Sequence, residues 1–149
     1  MFVHYSTIVP LGLSEVERRL DHVRADLEEW ADAAYREGEE LRARVGPVGA
    51  LAKSVALELG LAEIHRRGVV YPVHWSAVGA GAIFPELRAD LVLSQLGPGR
   101  TTLTLDGTYE PPLRAVGRFL DRALLGRVAE ATVRNWVDRM ARAVSSPEG

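Results

Sequence analysis

The chain has 149 residues, 47% of them hydrophobic and 26% charged, with a formal charge of −2. That length and apolar content suit one domain with a sizeable core and argue against disorder. The slightly acidic balance argues against a chain built mainly to hold nucleic acid, and the lack of cysteine removes disulfides, thiolate metal sites and a cysteine nucleophile together.

Residues 2–9 are rich in β-branched and aromatic types and alternate loosely, which predicts a strand. Pro10-Leu11-Gly12 breaks it. Ser14, with Glu17 three residues on, has the spacing of a capping box at a helix start, and Val16, Leu20 and Val23 form a short apolar stripe. Helical spacing continues through Leu27, Trp30, Ala31, Ala34 and Leu41, with a break expected around 22–25, so two short helices follow the first strand. Gly46-Pro47-Val48-Gly49 ends the helical region.

From Lys53 the period changes to two. Lys53–Leu59, Ala62–Arg66, Val69–Val78, Glu86–Leu96 and Thr101–Tyr109 read as strands, separated by Gly60, Arg67-Gly68, the 79–85 connection and the hairpin signal Gly97-Pro98-Gly99. Tyr71, Val73, Trp75 and Ala77 share one face of the third of these. Leu103, Leu105 and Tyr109 share one face of the last. Such alternation predicts an antiparallel sheet with one buried and one wet face. Pro111-Pro112 stops the sheet, and a long amphipathic helix is expected over Leu113–Val144. Its stripe holds Leu113, Val116, Leu120, Leu124, Val128, Ala131, Trp136 and Met140, widened by Phe119, Ala123 and Val133. The expected organisation is one domain over 1–144 and a frayed tail over 145–149.

Several local patterns invite a chemical assignment and lack its requirements. The run Gly46–Ser54 has Ala52, not glycine, before Lys53, and it follows a helix and precedes a strand, the reverse of a phosphate-binding loop. His4, His22, His65 and His74 show no i, i+4 ligand pair, so no metal is expected. His74 adjoins Trp75 in a strand and therefore faces away from it. Gln95 shares a face with Leu91 and Leu93, where it is a polar anchor if inward and a wet amide if the strand end is open. No catalytic residue and no cofactor are assigned. The N-terminus lacks a basic n-region and an apolar run of signal-peptide length, and no segment approaches the roughly 20 apolar residues of a membrane span. The expectation is a cytoplasmic protein without stable membrane insertion. Arg114, Arg118, Arg122, Arg127 and Arg134 make a basic flank, and Glu28, Glu29, Asp32, Glu37, Glu39 and Glu40 an acidic one. These read as solvated faces or, alternatively, as a homodimer surface.

The element order, with the early strand leading to Ser14-Glu15-Val16-Glu17, then Trp75, Phe84-Pro85, Gly107–Leu113 and the stretch Gly117–Arg134, resembles the START-like superfamily. That superfamily (SRPBCC) includes the Bet v 1 allergens and the polyketide cyclase or dehydrase-like proteins. The resemblance implies an α+β helix-grip fold, a curved antiparallel sheet wrapped around a long C-terminal helix. It also implies a cavity between the two for a hydrophobic or amphipathic small molecule, such as a lipid, a polyketide or an aromatic compound. The residues expected to line it are Tyr71, Trp75, Leu93, Leu103, Leu105, Tyr109, Phe119, Leu120, Ala123 and Leu124. A binding protein is the first expectation. A cyclase or dehydratase would need His74, Asp90 or Glu110 to face inward, and an interaction protein with a filled core is the third alternative.

Overall fold

The computed structural model describes residues 2–27, 29–31, 33, 54–78, 86–110 and 122–146. Strand β1 (Phe2–Val9) leads to helix α1 (Leu13–His22), a 3-10 turn (Arg24–Asp26) and further helical residues at 27, 29–31 and 33. Strands β2 (Ser54–Leu59), β3 (Glu63–His65), β4 (Gly68–Val78), β5 (Glu86–Gln95) and β6 (Thr101–Glu110) follow, and the C-terminal helix runs over Arg122–Ser145. The strands form one six-stranded antiparallel sheet in the order β1-β6-β5-β4-β2, with β3 also on β4.

The alternation expected from the sequence sets the faces. In register across the sheet, Leu57, Trp75, Leu87 and Tyr109 form one inward row. Tyr71, Leu91, Leu105 and Tyr5 form another, and Val69, Leu93, Leu103 and Thr7 a third. The C-terminal helix lies against β1, β6 and α1. It buries Val133, Trp136, Val137, Met140 and Val144, a stripe at i, i+3, i+4, i+7 and i+11 that the helical period aligns on one side. Sheet and helix share one apolar cluster, to which α1 adds Val16 and Leu20.

Two chain breaks have clear causes. The β5–β6 hairpin turns at Gly97 and Gly99, whose φ values of 82° and 68° are left-handed and suit glycine. Pro72 sits within β4, where it cannot donate to a ladder. Its position is where β4 changes partner: Leu59 pairs with Val73 on one side and Glu63 with Val70 on the other. The Pro72 carbonyl still accepts from the Gly60 N–H at 2.7 Å.

One expectation is corrected. Ser14 does not cap α1: the helix starts at Leu13, Gly12 precedes it, and no side chain of the cap residue bonds there. Instead the Leu13 N–H donates to Oε1 of Gln95, distant in sequence, at 2.9 Å. Gln95 is thus exposed at a strand end and holds a helix start, and its Nε2 donates to the Gly97 carbonyl. Glu15 is taken by Arg18 and Arg19, which hold its carboxyl at about 2, well below its ordinary value. The expected break after α1 is present, as Val23 donates back to Arg19 and Leu20 before the 3-10 turn. The expected helical stretch over 113–121 lies outside the described residues. No helix among the described residues is long and apolar enough to cross a membrane.

Candidate ligand-binding interior

The inner face of the sheet is built from alternate residues of every strand but the short, exposed β3. Tyr71, Trp75, Leu93, Leu103, Leu105 and Tyr109, all expected from the sequence to line a site, are buried there in one cluster. Ala123 and Leu124 fall in the C-terminal helix, but their side chains are outside the described set, as are Phe119 and Leu120 altogether. Between the row of Trp75 and the row of Tyr71 lies a low row containing Ala89 and Gly107. A Cβ at Gly107 would come within 2.3 Å of the Arg88 carbonyl oxygen and 2.4 Å of the Ala89 Cβ, so only glycine fits this close strand approach.

Trp75 meets Trp136 of the C-terminal helix edge-on, with ring centroids 5.6 Å apart and planes at 72°. Such T-shaped geometry matches the aromatic quadrupoles. The two indoles differ in their polar ends. Trp136 Nε1 donates to the Leu27 carbonyl at 3.1 Å, which fastens the helical residues after the 3-10 turn to the C-terminal helix. Trp75 is fully buried, yet its Nε1 has no hydrogen-bond partner, and among the described residues no other buried side-chain nitrogen or oxygen is in this state.

Charged groups stand at the rim and are committed. Arg24 donates to the carbonyls of Leu59 at 3.0 Å and Gly60 at 3.4 Å, and its guanidinium lies 6.0 Å from the Tyr71 ring centroid. Burial raises the Tyr71 hydroxyl pKa above its ordinary value, the negative charges of Asp21 and Glu17 add to this, and Arg24 opposes it. At the β1 side, the Tyr5 hydroxyl donates to Asp138 at 2.7 Å, and Arg134 lies 5.6 Å from its ring centroid. That hydrogen bond is the main cause holding the Tyr5 hydroxyl above its ordinary pKa, followed by burial and the Asp138 charge, with Arg134 opposing. Arg24, Tyr5 and Asp138 had no local sequence signal beyond residue type, because each partner lies far along the chain.

The outer face is of a different kind. His74 Nε2 is 2.7 Å from Glu86, and its Nδ1 is 3.7 Å from Glu58. Arg88 also reaches Glu86, at 2.8 Å, while Arg67 meets Asp90 and His4 meets Asp106. An open depression of about 820 Å³ is lined by residues of both parities along β2, β4, β5 and β6, with Leu57, Leu59, Val73, Ala89 and Gly107 beside Glu58, Gly60, Pro72, His74, Arg88, Asp90 and Asp106. None of the inner aromatic rings lines it. His74 and Asp90 therefore face away from the interior, as expected for His74 from its place beside Trp75; the Glu110 side chain is outside the described set. Among the described residues, no group of histidines and carboxylates could hold a metal ion.

No protein-family model and no curated protein matches the chain. Among solved structures, it is similar to a conserved protein from Geobacillus kaustophilus, with a TM-score of 0.63 at 12% identity over 97% of this chain and 95% of that one. The fold is a helix-grip arrangement, an antiparallel sheet packed against a C-terminal helix. At this identity the likeness is one of fold alone. Two further structures are similar at lower TM-scores. A hypothetical protein from Helicobacter pylori scores 0.49 at 12% identity, covering 93% of this chain and 87% of that one. The Zhui aromatase/cyclase from Streptomyces sp. R1128 scores 0.39 at 14% identity, covering 100% and 98%. In the helix-grip arrangement seen here, the face of the sheet that meets the helix is the apolar one.

Proposed function

We propose that the protein binds a hydrophobic or amphipathic small molecule between the inner sheet face and the C-terminal helix, without catalysing a reaction on it. The observation that carries this reading is the buried Trp75 N–H without a partner, set in an otherwise apolar and aromatic interior. Buried polar groups are nearly always paired, and an orphaned one costs about 1–3 kcal/mol. Small-molecule sites have this composition, mostly apolar with a few polar groups that orient the ligand. Tyr71, Trp75, Leu93, Leu103, Leu105 and Tyr109 are the sheet residues assigned to the site; Phe119, Leu120, Ala123 and Leu124 are assigned to it from the sequence alone. The low row at Ala89 and Gly107 offers the shortest side chains on the sheet floor.

The non-catalytic part rests on the inner-face inventory. Among its described residues the titratable side chains are Tyr5, Tyr71 and Tyr109, and both Tyr5 and Tyr71 are shifted further from ionising near neutral pH. General acid–base work needs a group whose pKa lies near the operating pH and within reach of the substrate. His74 and Asp90 have the chemistry but stand on the other face.

The test is a titration of the full chain with a panel of long-chain lipids and polycyclic aromatic compounds, followed by tryptophan fluorescence and thermal unfolding. A ligand present at 100 times its dissociation constant adds about 2.7 kcal/mol of stability if it binds only the native state. A raised unfolding temperature with changed fluorescence is the expected result. A panel that leaves both unchanged overturns the proposal.

A further inference from the structure

The two interior indoles touch, yet only one is satisfied: Trp136 Nε1 donates to Leu27, and Trp75 Nε1 donates to nothing. We propose that Trp75 Nε1 is the selectivity-determining donor of the interior, and that the ligand is a neutral aromatic molecule bearing a carbonyl or similar acceptor oxygen. This rests on the binding function above and narrows its ligand class.

Each part of the ligand description follows from a residue. An indole nitrogen is a donor only, so the complementary group is an acceptor. A hydrocarbon would leave the N–H orphaned, which is the state a buried site discriminates against most strongly. The ligand is neutral because the described inner sheet face carries no charged side chain. Arg24 and Asp138 at the rim are already bonded to the Leu59 and Gly60 carbonyls and to Tyr5. A carboxylate buried beside Trp75 would find no counter-charge among the described residues of the inner sheet face. The ligand is aromatic because the donor sits on a ring already engaged edge-to-face, in an interior that also holds Tyr71 and Tyr109, where further offset or edge contacts are favourable.

The experiment compares fluorenone, fluorene and a fluorenone carboxylate on the full chain, by calorimetric titration and by the indole N–H resonances of nitrogen-15-labelled protein. Fluorenone and fluorene share a skeleton and differ by a carbonyl in place of a methylene. Fluorene is the more apolar, so partition alone favours it. The expected result is fluorenone binding about tenfold tighter than fluorene, the carboxylate weakest, and only fluorenone moving the Trp75 indole proton downfield. The Trp75→Phe variant assigns that resonance and is expected to bind the two neutral compounds alike. If the variant does not fold, the wild-type pair of ligands still decides. Equal binding of fluorenone and fluorene with an unmoved Trp75 signal overturns this selectivity while leaving the binding function standing. Binding of none of the three, together with a silent lipid and aromatic panel, overturns both.

Discussion

The two faces of the sheet are drawn from the same strands, one residue apart, and they obey different physics. The inner face stacks Trp75, Leu87 and Tyr109 beside Tyr71, Leu91 and Leu105, and the C-terminal helix seals it with Trp136 and Met140. The outer face sets His74 on Glu86, Arg88 on Glu86 and Arg67 on Asp90, all partly wet. Burial of apolar surface is worth about 25 cal/mol per Å², whereas an exposed ion pair contributes about 0–1 kcal/mol. Stability and the proposed binding function therefore both reside on the inner face. The outer face keeps the sheet hydrated and holds the charged groups that the described inner sheet face lacks.

The contrast is broken most sharply by adjacent substitutions of opposite orientation. Leu105→Ala is expected to lose about 2–5 kcal/mol, because it deletes a fully buried side chain shared by sheet and helix. Asp106→Ala, the next residue, removes only an exposed contact to His4 at 3.6 Å and is expected to change stability by about 1 kcal/mol or less. Urea unfolding of both variants checks this, and similar midpoints would contradict the division into two faces. Gly107→Ala is expected to lose about 1–3 kcal/mol by overpacking, as its new methyl meets the Arg88 carbonyl and the Ala89 side chain. Adding Ala89→Gly relieves only the second clash, so the double variant should recover part of the loss. Full recovery would show that the backbone contact is not limiting.

The sheet was legible because period-two patterning, Gly97-Pro98-Gly99 and the position of His74 beside Trp75 are all local signals. β1 matches residues 2–9, and the later strands shift by one residue or so at their ends, where fraying and turn geometry decide. The helix stripe was legible through Val133, Trp136 and Met140, while Val137 and Val144 fill the same side without having been singled out. The cap of α1 was not legible. Ser14 and Glu17 have the right local spacing, but the Gln95 amide, brought alongside by the fold, satisfies the first helical N–H instead. The same holds for Arg24 on Leu59 and Tyr5 on Asp138. Sequence patterning also names Trp75 as an inward ring, but whether its N–H finds an acceptor depends on backbone placement in a distant helix.

A smaller effect probes the seam where the faces meet at β1. Tyr5→Phe removes the hydroxyl that donates to Asp138 and is expected to lose about 1 kcal/mol near neutral pH. The sign of its pH dependence follows from the raised pKa of the Tyr5 hydroxyl. The stability it adds is complete below its ordinary value of 10 and is lost as pH rises through the higher folded-state value. The wild-type protein should therefore lose more stability than Tyr5→Phe as pH is raised above 10, as followed by unfolding midpoints. Parallel alkaline limbs would show that the hydroxyl titrates alike in both states.

The smallest effect lies on the outer face and tests whether its charges act at all. Glu86 is held below its ordinary value of 4.5, first by its hydrogen bond with His74, against burial as the next largest influence, and with further lowering by Arg88. A carboxyl depressed on folding stabilises above its unfolded value, and that contribution is lost as pH falls through the folded one. The acid limb of the unfolding midpoint should thus steepen below about pH 4.5 in the wild type and be shallower in Glu86→Gln. Raising the salt concentration should shrink the difference, since these side chains are solvent-accessible and screening acts on them directly. Ligand binding measured near neutral pH should be the same in both proteins, because Glu86 and the interior donor Trp75 are on opposite faces of the sheet. A change in affinity on Glu86→Gln would mean that the faces are coupled through β4 and β5, and that the separation proposed here fails.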